Sequence, residues 1–139
     1  MFLSLIRIGI VLLFSVPVAQ ACSCSYTPTV TESFARNTVI FSGTVITRGK
    51  YGAWLRVDKP WKGVSSRTIY LYTGNLKNDC DPWFEKGERW LIYARPMRLF
   101  NNPHGTGPFV LRLMARGCDR TTKFAYAAQD LKALAELAR

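Results

Sequence analysis

The chain has 139 residues, 48% of them hydrophobic, with 19 Lys and Arg against 9 Asp and Glu and a formal charge of +10. That length is the size of one domain with one modest core. The basic surplus favours anionic surfaces and other polyanions as partners. Its members, Arg48, Lys50, Lys59, Lys62, Arg67, Arg89, Arg95, Arg98, Arg112, Arg116 and Arg120 among them, form no block, and nucleic acid is not expected.

Residues 1–21 read as a secretory signal: Arg7 supplies the positive n-region, Ile8 to Val16 an apolar h-region, and Ala19-Gln20-Ala21 a small-x-small cleavage site. The apolar run is shorter than the roughly 20 residues a spanning helix needs, and the rest of the chain offers no membrane span. Cleavage after Ala21 leaves 22–139 as a mature domain that starts at Cys22-Ser23-Cys24, secreted or periplasmic, with its charge lowered from +10 to +9 by the loss of Arg7. Lipidation of the Cys22 thiol is the alternative; Ala19 and Gln20 match poorly the Leu-like and small residues that a lipoprotein signal places there.

All four cysteines, Cys22, Cys24, Cys80 and Cys118, lie in the mature part, and an even count in an oxidising compartment reads as two disulfides. A Cys22–Cys24 bridge is disfavoured, because residues two apart in an extended chain sit near the upper limit of Cα separation and point their Cβ atoms to opposite sides. Both leading cysteines are therefore expected to reach far down the chain, in either of the two remaining pairings. A chain start ordinarily frays; this one would be held at two points.

Along the mature chain, Glu32 to Asn37 is predicted as a short helical turn and Val39 to Thr47 as a strand whose Val39, Phe41, Gly43 and Val45 share a face, with a bulge or sharp coil at Gly43. Arg48 to Gly52 is a turn. Trp54 to Val57 alternates as a second strand that Lys59-Pro60-Trp61-Lys62-Gly63 breaks, and Thr68 to Tyr72 is a third, with Ile69 and Leu71 inward. A polar loop from Thr73 to Asp81 carries Cys80. Glu88 to Ala94 is a fourth strand that ends before Arg95-Pro96. Asn101 to Pro108 is an exposed loop and Val110 to Met114 a fifth strand. At the tail Ala127, Leu131, Leu134 and Ala138 fall at helical spacing, with Thr121 or Thr122 as a cap. Five short strands followed by a helix point to an all-β fold, a small closed barrel with a C-terminal α-helix.

These elements resemble the netrin-like module of the tissue inhibitors of metalloproteinases. The resemblance lies in Cys22-Ser23-Cys24, Phe34 and Asn37 ahead of the first strand, Val57-Asp58-Lys59-Pro60-Trp61-Lys62-Gly63, Cys80, Trp90-Leu91-Ile92-Tyr93-Ala94, Cys118-Asp119-Arg120-Thr121 and Asp130-Leu131. It departs at Ala35, where the animal inhibitors place a cysteine, and at Tyr26, where they favour proline. The resemblance implies an OB-like five-stranded barrel, bridges Cys22–Cys80 and Cys24–Cys118, and an inhibitory edge made by Cys22, Ser23, Cys24 and Ser25. In that family the first residue's α-amino nitrogen and carbonyl oxygen chelate the target's catalytic zinc, and the second side chain enters the specificity pocket. The protein would hold no metal or cofactor of its own; the Cys22 backbone would meet a metalloprotease's zinc in trans. An α-amino group with a pKa of about 7.7–8.0 is deprotonated readily enough for that role.

A non-inhibitory module that binds polyanions or proteins is the competing expectation, resting on the charge and on Tyr51, Tyr70 and Tyr72. A Cys-x-Cys pair could alternatively bind copper(I) or exchange disulfides. No enzyme is expected. His104 stands alone in a Gly/Pro loop, Asp79 and Asp81 merely flank Cys80, and there is no Ser-His-Asp set or phosphate-binding glycine motif.

Overall fold

A computed structural model describes residues 24–73, 80–102 and 104–139. The expected leader, Cys22, Ser23 and Asp79 lie outside the described residues.

Helix α1 (Val30–Arg36) begins two residues earlier than expected because Thr29 and Glu32 form a capping box. The Thr29 N–H donates to Glu32 Oε2 at 2.7 Å, and the Glu32 N–H donates to Thr29 Oγ1 at 3.2 Å. Reciprocal caps satisfy two otherwise orphaned donors. The chain then enters β1 (Val39–Arg48), β2 (Gly52–Lys62), β3 (Thr68–Tyr72), β4 (Arg89–Phe100) and β5 (Phe109–Ala115). A two-residue strand β6 (Thr122–Lys123), flanked by single 3₁₀ turns, leads to α2 (Ala128–Leu137).

All pairings are antiparallel in the order β3-β2-β1-β4-β5, with β6 beside β4. The sheet curls into a half-barrel of five strands, and β3 and β5 approach each other without a ladder between them. The curl has a visible cause in β1, whose ladder with β2 shifts register three times, one shift falling between Ser42 and Gly43. A Cβ on Gly43 would stand 2.7 Å from the Arg56 carbonyl oxygen and 2.8 Å from the Phe41 ring. Glycine is what lets the two strands close up at that bulge.

Two strands run further than expected, through prolines. β2 continues past Pro60, which lies between two register shifts and beyond the last β2 residue that β3 pairs, Arg56. β4 continues past Pro96, where β5 still pairs (Pro96 with Leu113) but β1 has ended at Ala94. The Ala94 carbonyl accepts from the Thr38 N–H at 3.1 Å. Two residues on, the Pro96 nitrogen faces the same flank, now without a partner strand. Proline is tolerated at such edges and bulges because no ladder bond is lost there.

The core has two parts. Inside the curl, Phe41, Val45, Leu55, Leu71, Phe84 and Ile92 are fully or almost fully buried. On the opposite face, Ile40, Leu91, Tyr93, Ala127 and Leu134 pack with Phe34 and Leu131, so the two helices cover the back of β1 and β4. The inward faces expected of β1 and β3 are those observed, with Ile69 packed against the core and Leu71 buried. Thr121 and Thr122 do not cap α2, which starts after Ala127. Thr121 is occupied elsewhere: its Oγ1 accepts from the Tyr93 N–H at 3.0 Å and donates to the Tyr93 carbonyl at 3.1 Å.

Candidate functional site

The described start of the chain is bolted to its far end. Cys24 is bridged to Cys118 across 94 residues, with Cα atoms 5.7 Å apart. Cys80 is also disulfide-bonded, and the sulfurs of Cys24, Cys80 and Cys118 all lie within 4.8 Å of one another. The expected partner of Cys80, Cys22, lies outside the described residues. Oxidised sulfurs present no thiolate, so Cys24 is not a copper(I) ligand in this state. The crowding depends on Gly117: a Cβ there would fall 1.9 Å from the Cys80 carbonyl oxygen. Beside the bridges, Arg116 Nε lies 3.3 Å from Asp81 Oδ1, which gives Asp81 a structural ion pair.

The three residues after Cys118 tie the chain to β4 and to both helices. Asp119, 7% exposed, faces Arg36 of α1 at 3.6 Å and Arg95 of β4 at 3.3 Å. Arg120 takes a left-handed backbone (φ 79°), and its guanidinium is largely buried. There Nε donates to Asp130 Oδ2 at 2.8 Å, Nη2 donates to Asp130 Oδ1, and Nη1 donates to the Pro28 carbonyl at 3.1 Å. The Tyr93 hydroxyl donates to Asp130 Oδ2 at 2.9 Å. Burial first, then the negative Asp130, raises the Tyr93 phenol far above its ordinary value. Arg120 is itself raised, chiefly by its hydrogen bond to Asp130. One side chain thus joins the amino-terminal segment to α2, and Tyr93 adds the sheet.

From Ser25 to Thr27 the segment is exposed, and Tyr26 is 54% exposed. The Tyr26 hydroxyl donates to Glu32 Oε2 at 2.6 Å. That bond is the main reason the Tyr26 phenol is raised and the Glu32 carboxyl lowered. A rigid base therefore carries a short exposed edge, of which Cys24 and Ser25 are described.

The remaining candidates separate. His104 is exposed, its backbone N–H donating to Asn102 Oδ1 at 3.1 Å, and no cysteine or carboxylate clusters with it among the described residues. Tyr51 stacks on Tyr72 with rings 6.5 Å apart, and Tyr70 tilts against Trp54 at 5.2 Å; Tyr70 and Tyr72 are half-buried. A groove of about 440 Å³ between β2 and α2 is lined by Lys59, Trp61, Arg89, Phe124, Leu131 and Lys132. Its carboxylate, Asp58, is already paired with Arg56 and Arg89, each at 3.4 Å.

Asp119, Arg120 and Asp130 stand in the sequence only as parts of the family resemblance, and Thr121 as a cap; the sequence assigns none of them the bracing contacts seen here. The signal was present: Asp130 lies at i+3 from Ala127 and i−4 from Leu134, a carboxylate on the apolar face of the tail helix that demands a buried partner. No protein-family model matches the chain, and no curated protein matches it.

Proposed function

We propose that the chain is an exported, non-catalytic inhibitor in which an OB-like barrel, closed by β3 against β5, presents residues 22–25 to the catalytic zinc of a metalloprotease. The observation that carries this reading is the convergence of Cys24, Cys80 and Cys118 at the described start of the chain. A chain start with so little freedom loses little entropy on docking. With the bridges Cys22–Cys80 and Cys24–Cys118 formed and the leader removed, the Cys22 nitrogen and carbonyl oxygen would close a five-membered chelate on the zinc. They would displace the water from its open position. Ser23 is small enough to sit at the mouth of a specificity pocket.

The test is mature protein beginning at Cys22, assayed against a panel of zinc endopeptidases. Two derivatives accompany it, one acetylated at the α-amine and one carrying a single extra residue before Cys22. Inhibition by the free form, lost in both derivatives at unchanged melting temperature, is expected. Equal potency in either derivative, or no inhibition of any enzyme by the free form, would remove the reading.

A second reading, a module that binds an extended polyanion, is favoured by the Tyr51–Tyr72 stack, with Lys50 Nζ 5.0 Å from the Tyr51 ring, and by the Trp54–Tyr70 pair. Aromatic rows beside cations serve such polymers. Retention on heparin across a salt series, no later than that of an unrelated protein of equal charge, would exclude it.

A further inference from the structure

The outer half of the β4–β5 hairpin does not belong to the core. Phe100, Phe109, Val110 and Leu111 are 37%, 43%, 41% and 58% exposed, four large apolar side chains on adjoining strands. Phe100 pairs with Phe109, their rings 5.8 Å apart, and Arg98 pairs with Leu111, so Arg98, Phe100, Phe109 and Leu111 share one face. Leu99 and Val110 form the next pair on the other face, followed by Met97 and Arg112. The arm is therefore apolar on both sides, and the barrel leaves its outer end bare.

Its charge is one-sided. From Arg89 to Cys118 the chain contains no Asp or Glu, while Arg89, Arg95, Arg98, Arg112 and Arg116 all carry positive charge. Three of these enter ion pairs at the base, Arg89 with Asp58, Arg95 with Asp119 and Arg116 with Asp81. Among the described residues, Arg98 and Arg112 enter no ion pair, and they are the two that flank the apolar tip. Arg98 is poised over the Phe109 ring at 4.7 Å. Contiguous exposed apolar groups mark an interaction surface, and the unpaired arginines decide its kind. A second copy would bring the same unpaired arginines against these and be repelled. A sulfated polymer would satisfy the cations and leave four apolar side chains in water.

We infer that the β4–β5 arm docks on an anionic lipid bilayer, with Phe100, Phe109, Val110 and Leu111 entering the interfacial region and Arg98 and Arg112 meeting the lipid phosphates. The two forces act together: anionic surfaces attract juxtamembrane cations within a Debye length, and apolar burial holds the protein once it arrives. Neither residue set belongs to the proposed inhibitory edge, and docking does not require inhibition.

The test is co-sedimentation of the mature protein with vesicles of phosphatidylcholine alone or mixed with phosphatidylglycerol, across a salt series. Binding is expected to the mixed vesicles only, weakened but not abolished by salt. Arg98→Glu with Arg112→Glu should lower the partition coefficient by at least about 25-fold, taking roughly fivefold per lost cation. Lys86→Glu with Lys132→Glu, the same charge change away from the arm, should cost far less. Phe100→Ser with Phe109→Ser and Leu111→Ser should erase the salt-resistant fraction. Phe100→Trp, a fold-preserving reporter, should gain quenching by brominated lipid. The inference is overturned by equal losses in the two charge-reversal pairs, by complete release in salt, or by no added quenching in Phe100→Trp. Absence of vesicle binding also overturns it, including when the arm instead captures an acidic protein or a second copy.

Discussion

Replacing Arg120 with alanine removes three hydrogen bonds and strands a carboxylate. Asp130 is 5% exposed and, among the described residues, would keep only the Tyr93 hydroxyl as a donor. Breaking one side of a buried ion pair costs about 3–5 kcal/mol. The Arg120 side chain retains 22% exposure, so water screens part of the pair and about 2–4 kcal/mol is the expected loss. The backbone adds a second, separable effect. At φ 79° a non-glycine residue carries about 1 kcal/mol of strain that glycine does not. Arg120→Gly is therefore expected to be about 1 kcal/mol less damaging than Arg120→Ala, although both lose the same side-chain contacts. Urea unfolding with disulfides intact, followed by tryptophan fluorescence, measures both. Hydrogen exchange at residues 24–29 should rise in each variant, because the Pro28 carbonyl loses its donor. A loss below about 0.5 kcal/mol for Arg120→Ala, the range of an ordinary surface change, would refute the keystone role. Equal stability of the glycine and alanine variants would refute the strain argument by itself.

Two further outcomes follow from the same geometry. Gly117→Ala drives a methyl group to 1.9 Å from the Cys80 carbonyl oxygen and should destabilise by about 3 kcal/mol or more, read from the urea midpoint; a near-neutral result would mean the cysteine cluster is loosely packed. The Glu88 carboxyl is held below its ordinary value, first by its hydrogen bond from Lys123, at 2.6 Å. Its stabilisation is present above the unfolded carboxyl pKa of about 4.3 and disappears as pH falls through the lower folded value. Thermal melts of the parent and Glu88→Gln should therefore differ near neutrality and converge in acid; a gap independent of pH would contradict that assignment.

Much of the strand pattern was legible because burial writes a period-two code. Thr68 to Tyr72 alternates cleanly, and β3 has those bounds. Gly43 announced its bulge because nothing but glycine suits two strands closing on Phe41. What escaped was decided by neighbours that local pattern does not reveal. Pro60 and Pro96 read as breakers, yet each lies where its strand has outrun a partner and no ladder bond is at stake. β4 hid its alternation, since Leu91, Ile92, Tyr93 and Ala94 are all fully buried between the curl and the two helices. Thr121 looked like a cap because threonine often is one; its hydroxyl instead serves the Tyr93 backbone, a contact spanning 28 residues. At the candidate edge, Cys24 and Cys118 pair as the resemblance implies. The Arg120 brace between Pro28 and Asp130 could be sensed only from the misplaced charge on the tail helix.

Pro96 has an effect beyond permitting β4 to lengthen. The bare side of a protruding strand is a template on which a foreign strand can assemble, and an arm rich in phenylalanine and leucine would nucleate fibrils readily. A ring nitrogen on that side gives an incoming backbone no donor to grip. Pro96 thus removes one backbone donor from the flank where β4 has outrun β1, which makes that stretch a poorer template for an added strand.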